Sequence, residues 1–231
     1  YIGLTMILYS GFKAIFEDNI FALLCYLSIV AMGMMAIGIS SGHKSALVGV
    51  TCYLFIHIIY KCLLSTLCAT LQDRKGITLC LELGKLKNTI LLISASIGIS
   101  LMINIPFSLS FYNKAELSHL FSGNFFYIAI LLSGVFTIIS FPWKEIIKHK
   151  KVIALEMNIY NKFSLIFISL ACFITGFLWE FTPIRNIFHP LYEINNYSYE
   201  MLKQLAIYGV SIMIVISLNI TRKESTSLNI L

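Results

Sequence analysis

Uncharged apolar runs of about twenty residues recur along the chain, at 20–39, 45–71, 89–109, 124–143, 163–179 and 204–221, with short polar segments between them. The 45–71 run is interrupted only by His57 and Lys61. A hydrocarbon core about 30 Å thick takes about 20 helical residues to cross, so each run predicts a transmembrane helix. In lipid the backbone must satisfy its own hydrogen bonds, which helices do and isolated strands do not. The runs are continuous rather than alternating, and this excludes a β-barrel. The expected fold is an all-α integral membrane protein: a bundle of about six to seven transmembrane helices, one of them broken near Pro106–Lys114. No linker divides it, so residues 1–231 read as one membrane domain, with further helices over 142–221 and a polar tail over 222–231.

Composition agrees. Of 231 residues, 58% are hydrophobic and 12% charged, with a mean hydropathy of +0.84. Soluble domains hold about 25% charged residues, so a soluble enzyme, a disordered tail and a secreted disulfide scaffold are excluded. The net charge of +6 invites a nucleic-acid reading. Yet the basic residues cluster in short segments between apolar runs, as juxtamembrane anchors facing anionic lipid do, and nucleic-acid binding is not expected. With six spans, Lys13, Arg74, Lys75, Lys85, Lys87, Lys144, Lys148, Lys150, Lys151, Lys162, Arg222 and Lys223 share one face, against Lys44, Lys114, Arg185 and Lys203 on the other. An extra crossing within Pro106–Ser122 reverses everything downstream, so orientation stays open.

Cys25, Cys52, Cys62, Cys68, Cys80 and Cys172 form no CxxC pair. All but Cys80 sit in apolar runs, where a free thiol behaves as a small hydrophobe. Neither a disulfide, a metal nor a cofactor is expected. The opening YIGLTMILY lacks the basic region of a signal peptide. It reads as the tail of a membrane helix, and a C-terminal fragment of a longer chain is the expectation.

The chemistry-bearing residues lie inside the membrane. Lys61 sits ten residues from the end of its run, about 15 Å at helical rise, too deep for its stem to snorkel comfortably. An ammonium there costs roughly 2.5–3.5 kcal/mol on insertion scales, and such residues usually mark ion or proton paths. Desolvation eases release of an amine's proton, which a proton carrier needs. Tyr53, His57, Lys61 and Ser65 follow at four-residue spacing on one face, a stripe of groups that donate and accept hydrogen bonds. The bland alternative is that His57 and Lys61 only glue neighbouring helices; a His and a Lys together at this depth favour function.

A second candidate is the stretch from Asn104 through Pro106 to Lys114 and Glu116, with His119 beyond. Pro106 ends or kinks the preceding helix, and irregular backbone at membrane depth is tolerated where it is buried or lines an aqueous cavity. Spacing alone favours an interfacial loop with solvated Lys114 and Glu116. Tyr26 and Ser28 read as helix packing with an accessory polar role for Tyr26. Glu180 reads as an interfacial end, and His43, His149 and His189 as loop residues. No GxSxG, HExxH or paired-Asp motif appears in the spans, so no catalytic chemistry of its own is expected.

These residues bear a resemblance. Tyr53-Leu-Phe-Ile-His57-Ile-Ile-Tyr60-Lys61-Cys-Leu-Leu resembles the H-x-x-x-K-x-x-L-F helix of proton-conducting membrane subunits. That family joins the antiporter-like subunits of complex I and the Mrp-type Na+/H+ antiporters, especially the D-type member of the latter. Asn19-Ile-Phe21 through Gly33 is similar to its D-x-K-R-x-L-A-Y-S-S-x-x-x-x-G segment, and Ile105-Pro106-Phe-Ser-Leu-Ser110-Phe111-Tyr-Asn-Lys114 to its P-P-x-S-G-F-x-x-K stretch. The three occur in the family's order, across roughly residues 10–141.

The resemblance implies a five-helix unit over 20–141, one of two inverted repeats, with Lys114 inside the membrane on a broken helix. It implies a proton path of Lys61, His57 and Lys114, with Tyr53, Ser65, Tyr26 and Glu116 as accessory polar groups. The function it implies is a subunit of a multisubunit monovalent cation/proton antiporter in a bacterial inner or plasma membrane, with other membrane subunits, protons, a cation and lipid as partners. Two alternatives remain: a proton-pumping subunit of an NADH:quinone oxidoreductase-like complex, or a truncated scaffold that does not transport. Phe21 stands where the family has its Lys, and Ser110 where it has Gly before Phe111. The first departure favours the scaffold; the retained Lys61 and His57 argue against it.

Overall fold

Asn19 starts the first long helix. Its Oδ1 accepts from the amides of Phe21 and Ala22, at 2.9 and 3.3 Å, which satisfies donors that no helix can pair internally. Asn88 does the same for Ile90 and Ser108 for Phe111. In the computed structural model residues 1–75, 88–141 and 158–178 are described, together with positions 206, 209 and 213. Among the described residues the elements are α1 (Ile2–Ile15), α2 (Ile20–Ser40), α3 (Lys44–Lys75), α4 (Thr89–Met102), α5 (Leu109–Leu120), α6 (Phe125–Ser140) and α7 (Ile159–Phe177), all helices. The expected span 204–221, the tail 222–231, most of the expected helices over 142–221, Cys80, His149, Glu180 and His189 lie outside the described residues.

α2, α3 and α7 are long and apolar enough to cross a membrane, while α1, α4 and α6 are shorter apolar helices. The protein is an all-α integral membrane protein. α3, with 32 residues, is about 48 Å long at helical rise, so its ends reach past the apolar zone. It is also the hub, packing against α2, α4, α5 and α7. One apolar cluster joins Leu23, Leu27, Leu63, Leu71 and Leu101; a second joins Ile7, Met34, Val50, Leu117 and Ile130. Outside, Tyr9, Phe12, Phe55, Ile58, Phe163 and Phe167 are exposed. A soluble protein seldom shows so much apolar surface; in a bilayer it is the face that lipid solvates.

The run expected at 89–109 is helical only to Met102. The Pro106 ring clashes with the carbonyl four residues back, which is that of Met102, and the chain turns there. Asn104 and Phe107 take left-handed φ values of +57° and +71°. The Leu101 carbonyl accepts from the Asn104 amide at 3.2 Å and from the Ser110 hydroxyl at 2.9 Å. Ser110, the departure from the family's Gly, thus ties the two halves of the broken helix together. α5 then runs through the interior, with Leu109, Ser110, Phe111, Asn113, Lys114, Ala115, Glu116, Leu117 and Ser118 all buried. Lys114 is therefore in a buried helix, not the interfacial loop that spacing alone favoured.

α1 lies on α2 through a pair of glycines. A Cβ on Gly33 would stand 2.7 Å from the Gly3 carbonyl oxygen, and one on Gly3 would stand 2.5 Å from the Gly33 carbonyl oxygen. Close backbone approach of this kind holds helices together in lipid, where apolar side chains gain little from leaving the acyl chains. Gly33→Val is expected to force α1 off α2 and cost about 1–3 kcal/mol, seen as a lower melting temperature in detergent. Gly49→Ala, whose nearest neighbour would lie at 3.7 Å, should leave that temperature nearly unchanged.

Candidate functional site

Four polar side chains meet inside the bundle where α3 faces the break between α4 and α5. His57 (5% exposed) is hydrogen-bonded through Nδ1 to the Tyr60 hydroxyl at 2.6 Å. Imidazole and phenol can each donate or accept, so the proton of this bond has two homes. The Tyr60 ring meets His57 edge-on at 5.0 Å, and the Tyr53 ring stacks on its other side at 6.1 Å. Tyr53 shares side-chain hydrogen bonds with Tyr60 and with Asn104, the left-handed residue of the break. The result is a continuous chain, His57 to Tyr60 to Tyr53 to Asn104, that links the long helix to the broken one.

Lys61 lies at the edge of this cluster. It is half-buried, and its amine donates to the backbone carbonyl of Leu24 on α2. That carbonyl already belongs to a helix and brings no negative charge. Lys114 is more deeply placed, 3% exposed, with its Nζ pressed against Gly134 of α6. Among the described residues no carboxylate is paired with its amine. Glu116 is fully buried two residues on, but two helical residues rotate by about 200°. It faces the Gly49 side of α3 while Lys114 faces α6.

Between α2, α3, α6 and the break is a small cavity of about 10 Å³, lined by Tyr53, Tyr60, Asn104, Ser133 and Thr137 together with the apolar Leu27, Val30, Ala31 and Met102. Among the described residues no group of three His, Cys, Asp or Glu side chains could hold a metal. The arrangement offers hydrogen-bond donors and acceptors in series.

The structure brings His57 and Tyr53 together but not all of the expected stripe. Each four-residue step turns a helix by about 40° beyond a full circle, so Ser65 has drifted round to the outside. It is exposed and bonds back to the Cys62 carbonyl at 3.1 Å. Tyr26 is half-buried against the apolar cluster around Leu23 and Leu63. Four-residue spacing passes over Tyr60, and it gives no reason to join Asn104 of the Pro106 stretch to α3. The signal for Tyr60 is its three-residue spacing from His57, which also shares a helix face.

Amines and hydroxyls in the interior of a membrane-spanning bundle are the kind of groups that ion and proton paths use. Residues 1–140 match the proton-antiporter family described as the transmembrane domain of NADH:quinone oxidoreductase and Mrp antiporters. The chain belongs to that family, and is a membrane protein of the Mrp antiporter and complex I subunit type. A comparison with curated proteins found no match.

Asn104 provides a test of the site's framework. Asn104→Ala removes the amide that holds Tyr53 and keeps a Cβ at φ +57° without the polar side chain that lets Asn tolerate it, whereas Asn104→Gly removes the amide and the Cβ together. Left-handed backbone costs a residue with a Cβ about 1–2 kcal/mol. Thermal melts in detergent should therefore rank the variants wild type, then Gly, then Ala, the last two separated by about that amount.

Proposed function

We propose that this chain is the proton-carrying subunit of a multisubunit monovalent cation/proton antiporter of the Mrp type. One observation carries the reading: two lysine amines are held in the interior of a lipid-embedded bundle, with no carboxylate beside either among the described residues. A permanently charged amine so placed would be a heavy cost without a use. An amine that takes up and gives away a proton turns the same placement into a carrier.

Lys61 is the carrier next to His57, and Lys114 the carrier on the far side of the break. His57, with a hydroxyl on Nδ1 and an aromatic ring on each side, passes protons between the lysine and the tyrosines. A charge arriving at one amine disfavours charge at the other, because Coulomb interactions inside a dry bundle are weakly screened. Loading one site therefore tends to empty the other, and this is the coupling an exchanger needs. The partners are the remaining membrane subunits of the complex.

A second reading has the same residues serve a redox-driven pump, since the family description names NADH:quinone oxidoreductase beside the Mrp antiporter. The chain would then move protons when electron transfer elsewhere in the complex displaces charge near α5. NADH-dependence of pumping distinguishes the two.

In vesicles holding the complete complex, Lys61→Gln is expected to abolish cation-driven proton movement followed by dye quenching, with assembly unchanged. Lys114→Gln should do the same. Wild-type quenching in both variants would overturn the reading and leave a scaffold.

A further inference from the structure

α2 and α4 both pack on α3 and touch each other little, and the gap between them is a groove of about 550 Å³. It runs the length of α4, from Leu91 at the start of that helix to Ile103 and Ile105 at the break. Ile20 opens α2 and Leu71 lies near the end of α3, so these two and Leu91 place one end of the groove where three helices end. Leu92 and Ile93 belong both to its wall and to the outer apolar surface, at 49% and 54% exposure. The groove is therefore continuous with the face that lipid solvates.

Its wall is apolar apart from three side chains. Ser96 and Ser100 donate to the Ile93 and Ser96 carbonyls of their own helix, at 2.8 and 2.5 Å. Cys68 is a buried thiol, which behaves as a small hydrophobe in such surroundings. A phosphate headgroup or a quinone carbonyl wants donors, and these hydroxyls have spent theirs. α4 has 14 residues, about 21 Å at helical rise, so the groove exceeds the roughly 15 Å half-thickness of a hydrocarbon core. Its volume over that length gives a cross-section of about 26 Å², about a third or less of the roughly 80–110 Å² of a helix 10–12 Å across. A partner helix is too wide for it, and a single hydrocarbon chain is not. An apolar cavity stays dry and, left empty, costs stability in proportion to its volume; a bilayer has hydrocarbon ready at the open side.

We propose that the groove between α2 and α4 is a lipid site that seats one acyl chain of a membrane phospholipid, with the headgroup outside at the end marked by Ile20, Leu71 and Leu91. The chain lies over Leu67 and Cys68 of α3 and against Leu24 and Leu64. The Leu24 carbonyl receives the Lys61 amine, and Leu64 follows Lys61 by three residues on α3, so the lipid fills the apolar space beside that amine's anchor. The site stands whether or not Lys61 carries protons.

The test uses the complete complex, delipidated in detergent and returned to nanodiscs of a phosphatidylcholine whose acyl chain carries a diazirine. Illumination expels N2, and the carbene left behind inserts into neighbouring C–H, O–H or S–H bonds. Adducts are expected on Leu67 and Cys68, which at 6% and 1% exposure bulk lipid does not reach, as well as on the exposed Phe163 and Phe167 of α7. Ala95→Phe, on the groove wall, puts a ring where the chain would lie. It should lower the label on Leu67 and Cys68 severalfold and leave that on Phe163 and Phe167 unchanged. A density map of the wild-type complex in the same discs should show an unbranched rod between α2 and α4; a rod without label on Leu67 and Cys68 is native lipid retained through the detergent step, and supports the site. If Ala95→Phe does not assemble, the wild-type adducts and map decide. A groove that is empty or filled by polypeptide in the map overturns the proposal, as does label on Leu67 and Cys68 that Ala95→Phe leaves undiminished.

Discussion

An amine in a bundle surrounded by lipid must be solvated by something, and the protein offers it very little. The Leu24 carbonyl receives Lys61, and the Lys114 amine lies in the space left by the missing side chain of Gly134. Neither place supplies an anion. A carboxylate partner would fix each proton in place by stabilising the charged form; a neutral environment leaves both protonation states within reach. The placement of the helices follows from this constraint. α5 begins only after the break, and from Leu109 to Ser118 every residue but Tyr112 is buried. α3 supplies aromatic hydroxyls instead of acids on the facing side.

The break does two jobs with one set of residues. Pro106 stops α4, and the Leu101 carbonyl accepts from both the Asn104 amide and the Ser110 hydroxyl. Asn104, turned into the left-handed region where Asn is better tolerated than most residues, sends its side chain to Tyr53. The same backbone excursion that would be costly in open lipid thereby becomes the joint between the polar cluster of α3 and the lysine helix. A shift of α5 relative to α4 would be felt at Tyr53, and through it at His57.

Apolar runs made α2, α3, α6 and α7 legible in the sequence, to within a few residues at each end. The runs reflect only what lipid requires, however, and α5 does not face lipid. Its sequence, with Asn113, Lys114, Glu116 and His119, looks like a loop because its burial comes from other helices. Pro106 marked the break, but the exact end of α4 at Met102 was not legible because residues 103–109 are nearly as apolar as the helix before them. At the site, Tyr53, His57 and Lys61 could be read from four-residue spacing, but that spacing drifts by about 40° a step. Ser65 was carried out of the cluster by that drift, and Tyr60, at the tighter three-residue step, was carried into it. The cavity beside α6 left no mark in the sequence, since a serine, a glycine and a threonine in an apolar helix look like ordinary packing.

Small residues mean two different things in this bundle. Gly3 and Gly33 bring backbone against backbone, and a larger side chain at either would push apart a pair of helices that have no other reason to touch so closely. Gly134 brings backbone against an amine. In the first case the gap is closed by carbonyl oxygens and serves stability alone. In the second the space a side chain would take is occupied by the tip of Lys114, whose stem could fold elsewhere if it were only filling volume. α6 gives up a side chain at Gly134 to admit this amine, while its Ser133 and Thr137 line the small cavity that Tyr53, Tyr60 and Asn104 of α3 and the break also line.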